Sequence, residues 1–209
     1  MFIDDDGRDY RVFFDSKTKT ATIKATYYAL SKDMSSAQQA TEYWNNQSGN
    51  FNYKVGKNEN AANYKVNFEL SVVEVNSDEN IGDRGSLNQA FIKDKSGEAN
   101  IYSIDNSGLD ANTNGRTIGG TLIKVKDSER DADTGAHEVG HSLGLGHSDN
   151  GLMTPASTDS RRSKNVYKRE ISNILKNSLN NKTTPGAGRG TINNNTNSTQ
   201  KELAKGKVQ

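Results

Sequence analysis

The chain has 209 residues and a formal net charge of +1, which suits one domain, or one domain with a tail. That balance gives no reason to expect nucleic acid or an anionic membrane as the partner. Hydrophobic residues make up only 31%, and the mean hydropathy is −0.89, so part of the chain is expected to lie outside a packed core. The absence of cysteine excludes disulfides and thiolate zinc sites, and no apolar run of about 18 residues exists to span a membrane.

The opening residues, Met1-Phe2-Ile3-Asp4-Asp5-Asp6, have neither the basic start nor the apolar centre of a signal peptide. Tyr10–Phe14 and Ala21–Leu30 read as strands about the polar turn Ser16–Thr20. Ser35 or Ser36 can cap a helix through Ala37, Ala40, Tyr43 and Trp44 that ends near Gly49, with Trp44 as a core anchor. Phe51–Val55 is a short strand. Tyr64, Val66, Phe68, Leu70 and Val72 alternate with polar residues and form the clearest half-buried strand. Asn100–Ile104 and Thr121–Val125 are shorter strands, and Asp131 or Asp133 can cap the helix that follows. Between those strands Asp110, Asn112, Asn114 and Gly115 match the first half of an EF-hand loop. Thr121 stands where the bidentate Glu is required, so the stretch reads as a polar turn-rich loop. Val166–Leu179 is an amphipathic helix with Tyr167, Ile171, Ile174, Leu175 and Leu179 on one side. Residues 180–209 are expected to be a disordered polar tail.

All three histidines lie in HEVGHSLGLGHS, from His137 to Ser148. His137 and His141 are one helical turn apart and project from the same face. His147 is too far along to share that face, so the chain must turn back, and Gly144 and Gly146 are suited to the turn. Two imidazoles on one helix and a third on the return form the open, three-nitrogen shell of a catalytic zinc. Glu138 lies beside that face, placed to act as general base and acid for an attacking water. Met153, on the turn Gly151-Leu152-Met153-Thr154-Pro155, can form a soft apolar floor under the imidazoles.

HEVGHSLGLGH with the downstream methionine resembles the metzincin signature, and Ser148 and the Leu-Met-Thr-Pro turn are most similar to the matrixin branch. The resemblance implies an α+β domain with a twisted mixed sheet, an active-site helix and a closing C-terminal helix. It also implies a zinc endopeptidase with an extended cleft for protein or peptide substrates, and apolar anchoring of one substrate side chain beside the Met-turn. Asn100–Ile104 would be the edge strand above the cleft, where extended substrate pairs, and calcium (Ca2+) could be held in the loops of that region. The chain departs from the family in lacking a latency cysteine and histidines for a second, structural zinc. No tyrosine stands two residues after Met153, so no tyrosine ligand is expected.

Ile3-Asp4-Asp5-Asp6-Gly7-Arg8-Asp9 resembles the I-D-P-D-G-R segment that closes the core of Rhs/YD-repeat proteins, with Asp5 in place of proline. That implies residues 1–9 as a remnant of an Rhs-type carrier, 10–179 as the peptidase domain and 180–209 as the tail. It further implies a toxin domain, secreted or delivered with a larger bacterial effector, with a cognate immunity protein as partner. A monomer is expected. The alternatives are a non-catalytic, zinc-stabilised tip or adhesion module, a secreted peptidase whose leader is missing, and a peptidase of the producing cytoplasm.

Overall fold

The computed structural model describes residues 9–56, 61–131, 133–155, 162–180, 190–192 and 203–209. Among them, nine strands form one mixed sheet and four α-helices pack on its faces. β1 (Tyr10–Asp15) and β2 (Thr20–Leu30) form an antiparallel hairpin, and the Asp15 carboxylate accepts the Lys17 and Thr18 amides in its turn. β2 is the spine of the sheet. It runs parallel to β4 (Ala62–Val75) along its whole length and to β5 (Ala99–Ile104) at Thr26–Tyr28. β3 (Asn52–Val55) pairs antiparallel with β4. Tyr64, Val66, Phe68 and Leu70 of β4 are buried while Lys65 and Glu69 are exposed, as the alternation predicts.

The larger core joins this sheet to α1 (Met34–Asn45), α3 (Thr134–Ser142) and α4 (Lys168–Asn180). α2 (Gly82–Lys93) covers the opposite face, where Leu87 meets Leu30 and Ile101. Adjacent strand residues point to opposite faces, so Ile101 joins the small cluster and Tyr102 the large one. α2 was not anticipated: only Ser86 and Leu87 of its residues are buried, too few to leave a helical period in the sequence.

Four expectations are corrected. α1 starts at Met34 rather than after a serine cap, because Ser36 donates to the Arg130 carbonyl at 2.6 Å and meets the Tyr102 hydroxyl at 2.9 Å. Asn100–Ile104 is no edge strand: β5 lies between β2 and β7 (Leu122–Val125), with Ala99 to Tyr102 all buried. The edge is β6 (Gly115–Ile118), which begins at the last residue of the stretch read as loop and runs antiparallel to β7. Its four residues form a strand because β7 offers a ladder, not because their pattern demands one. α4 starts at Lys168, leaving Tyr167 38% exposed.

The segment expected to be a disordered tail contains ordered pieces. β8 (Gly190–Ile192) pairs parallel with β1, and β9 (Lys207–Val208) pairs antiparallel with β3. Leu203 is buried and its carbonyl accepts the Tyr53 hydroxyl at 2.6 Å. Unpaired backbone at a sheet edge can recruit a mostly polar segment with only a few apolar contacts, here Leu203, Ala204 and Val208, which overall composition does not register. Of the Rhs-like motif Ile3–Asp9, residues 3–8 lie outside the described residues, and its last residue, Asp9, is buried.

α1 and α3 pack closely. The Trp44 indole, fully buried as expected, donates to the Ala136 carbonyl at 2.9 Å. A Cβ at Gly140 would stand 2.4 Å from Met153 Sδ and 3.0 Å from Trp44 Cζ2, and neither side chain has solvent to move into. Gly140→Ala should therefore destabilise the protein by about 1–3 kcal/mol through overpacking. Chemical denaturation measures this, and unchanged stability would show that Met153 is not seated against α3.

Candidate metal centre

α3 begins after Asp133, though the Asp133 side chain makes no capping hydrogen bond. His137 and Glu138 lie mid-helix, 3% and 4% exposed. The helix stops in a Schellman arrangement. The Leu145 amide donates to the Gly140 carbonyl at 3.1 Å and the Gly144 amide to the His141 carbonyl at 3.0 Å. Gly144 has φ +84°, a conformation that costs an L-residue roughly 1–2 kcal/mol. Gly146, the other glycine suited to the turn, is not left-handed. Asn177 of α4 donates to the Gly144 carbonyl at 2.8 Å and holds the turn from outside.

The returning chain supplies the acceptors that orient the rings. His141 Nδ1 donates to the Leu145 carbonyl at 2.7 Å and His137 Nδ1 to the Leu152 carbonyl at 2.8 Å. A carbonyl can only accept, so both Nδ1 atoms carry the proton and both Nε2 atoms present lone pairs. Those Nε2 atoms are 3.1 Å apart. His147 closes the group, with ring centroids 5.4 Å from His137 and 4.9 Å from His141. One ligand atom from each of the three lies within 4.8 Å of the others.

Two lone pairs at 3.1 Å repel unless a cation lies between them. A tetrahedral zinc with Zn–N of about 2.0–2.1 Å needs nitrogens roughly 3.3 Å apart, so the His137–His141 pair fits zinc in spacing and all three fit it in type. Burial pulls the imidazoles below their ordinary range, His137 to about 3 and His141 to about 4, and lowers His147 as well. The three are neutral ligands at neutral pH without needing to lose a proton.

Glu138 stands beside this group. Burial raises its carboxyl to about 7, against the opposing effects of the Thr117 hydrogen bond and the positive field of Arg162. The Thr117 hydroxyl lies 2.8 Å from Glu138 Oε2 and 2.9 Å from the Glu138 carbonyl. Edge strand β6 is thereby tied to the helix that carries the histidines. Met153 is fully buried against Gly140, on a turn where the Thr154 amide donates to the Gly151 carbonyl at 3.3 Å. A cavity of about 530 Å³ opens over the site, lined by His137, Glu138, His147, Thr134, Pro155 and Arg162 among others.

His137, Glu138, His141, Gly144, His147 and Met153 are thus brought together. Thr117 and Arg162 were missed, since a threonine in a polar stretch and an arginine after the Met-turn carry no spacing signal. In loop 105–115, where calcium was an expectation, lysine ammoniums occupy several of the oxygens. Lys126 Nζ reaches the carbonyls of Asp110 at 2.7 Å and Ala111 at 2.9 Å. Lys124 Nζ reaches Asp105 Oδ2 at 2.7 Å and the Ser107 carbonyl.

The sequence profile of the matrixin family matches residues 13–176, most of the chain. No curated protein matches it.

His147→Ala, which leaves two nitrogens, should cut zinc affinity by at least about tenfold, read by competition with a chromophoric chelator. Unchanged affinity would remove His147 from the ligand set. Millimolar calcium should leave the melting temperature where it is, because lysines already neutralise the loop oxygens; a clear rise would show a calcium site.

Proposed function

The chain belongs to the matrixin family and is a zinc metalloendopeptidase; from that premise we propose which residues perform the hydrolysis and where the substrate lies. His137, His141 and His147 hold the zinc, Glu138 is the general base and acid, and Met153 is the apolar floor beneath the rings. A zinc ion held by these three neutral imidazoles would supply Lewis-acid polarisation of the scissile carbonyl and acidify the attacking water.

The observation that carries the mechanism is the burial of Glu138 beside the convergent Nε2 atoms. Desolvation raises the proton affinity of this carboxylate, which suits it to take a proton from water and to return it. Glu138 takes a proton from the attacking water as oxygen bonds to the carbonyl carbon. It gives that proton to the amide nitrogen as the carbon–nitrogen bond breaks. Thr117 holds the carboxylate in place by hydrogen bonding to Oε2.

β6 supports the placement of substrate. It ends the sheet path among the described residues, with β7 on one side and unpaired backbone on the other. An extended peptide can add to this edge as a further strand. Thr117, in the same strand, touches Glu138, so a peptide paired there has its backbone beside the general base. No helix among the described residues is long and apolar enough to cross a membrane.

The resemblance of residues 3–9 to the end of an Rhs core supports a finer reading: the toxin domain of a secreted or delivered bacterial effector. That reading rests on the sequence alone. In-frame YD repeats in the coding sequence upstream of Met1 would support it, and an unrelated upstream sequence would remove it.

Glu138→Gln should keep stoichiometric zinc while kcat on an unfolded protein substrate falls by about 10²–10⁴. Metal analysis and a fluorogenic cleavage assay read the two quantities on one sample. Undiminished cleavage would overturn the role of Glu138. Stoichiometric zinc in wild type with no cleavage of any unfolded protein would favour the non-catalytic zinc module.

A further inference from the structure

We propose that Arg162 binds a carboxylate of the substrate next to the scissile bond, so that the peptidase selects an acidic side chain or a chain-terminal carboxylate at that place. The inference rests on the peptidase reading and replaces the apolar anchoring implied by family resemblance.

Arg162 lines the same cavity as His137, Glu138 and His147. One edge of its guanidinium is fixed: Nη1 donates to the carbonyl of fully buried Thr154, next to Met153, at 3.3 Å. Nη2 is buried and has no hydrogen-bond partner among the described residues. A guanidinium carries five donors in a planar fork, and burying one of them unpaired is costly.

The acidic groups whose field reaches Arg162 are Asp133, Glu138 and Glu129, and each has another partner. Asp133 pairs with Lys164 at 3.4 Å, Glu138 accepts from Thr117, and Glu129 accepts the Thr134 hydroxyl at 3.0 Å. An arginine held only for structure would be expected to close its ion pair within the protein. This one lines the space that substrate must enter and keeps an unpaired donor in the wall of that space.

A planar cationic fork is matched by an anion with two coplanar oxygens, and a peptide substrate supplies that as a carboxylate. A substrate side chain or a free C-terminus can supply it. Thr134, Thr113 and Asn114 also line the cavity, a wall better suited to a charged group than to an aliphatic one.

The test uses the zinc-loaded full chain and short internally quenched peptides. One series has amidated C-termini and carries Glu, Gln or Leu at each position flanking the scissile bond. A second compares free with amidated C-termini at successive distances from that bond. At one position, kcat/KM for Glu over Gln, or for free acid over amide, should differ by about ten- to a hundredfold. The responding series identifies the source of the carboxylate. Arg162→Gln should bring the acidic peptide down to the level of its neutral counterpart with zinc content unchanged, and Arg162→Lys should keep part of the preference. Equal cleavage of acidic and neutral peptides by wild type, or a preference that survives Arg162→Gln, would overturn the proposal and leave the peptidase reading standing. Binding of the same peptides, read by fluorescence anisotropy, separates the two ideas if wild type cuts none of them. Selective binding lost in Arg162→Gln would keep the carboxylate site and sink the peptidase, while equal binding would sink the carboxylate site.

Discussion

The two imidazole N–H groups that point away from the metal centre, on His137 and His141, each need an acceptor inside the protein. The carbonyls of Leu152 and Leu145 provide them. A buried donor left unpaired costs on the order of 1–3 kcal/mol, so this requirement binds α3 to everything that follows it. Leu145 reaches its place only because Gly144 reverses the chain, and Leu152 only because the Gly151 turn brings the backbone under the helix. The same bonds fix the tautomers, and with them the direction of the metal-binding lone pairs. Ring orientation, chain reversal and the seat of Met153 are one linked structure.

Burial at the same place sets the electrostatics. The environment that keeps the imidazoles neutral holds the Glu138 carboxyl near 7, because desolvation penalises a cation and an anion alike. A site that favours neutral groups is a poor place for an unpaired guanidinium, yet Arg162 is half-buried there. The tension is local to the cavity and eases when an anion enters. β6 adds the other coupling: Thr117 links the edge where a peptide can align to the carboxylate that moves the proton.

Much of the fold could be read along the chain, wherever a strand or helix buries one face. β1, β2, β3, β4 and β7 follow from alternation or β-rich runs, and α1 and α4 from three- and four-residue spacing. Elements held mainly by backbone pairing escaped. β6 has no fully buried residue, and β8 and β9 lie in a mostly polar segment that docks through edge pairing and a few apolar contacts, among them Leu203 and Val208. α2 escaped because Leu87 is its one fully buried apolar residue. β5 was found but misplaced, since alternation shows that a strand exists without showing how many neighbours it has.

The site divides along the same line. His137, Glu138, His141, Gly144 and His147 belong to one stretch of eleven residues, and helix periodicity with glycine stereochemistry suffices to arrange them. The sequence by itself therefore determined the chemistry: the ligand type, the position of the base and the need for a reversal. Tertiary structure alone decided what surrounds that chemistry. Thr117 reaches Glu138 across 21 residues and Tyr27 braces Ser142 of the metal helix across 115. Arg162 reaches the cavity from beyond the Met-turn. Contacts of that range are set by how the sheet stacks its strands and where the chain returns, and no local spacing records them.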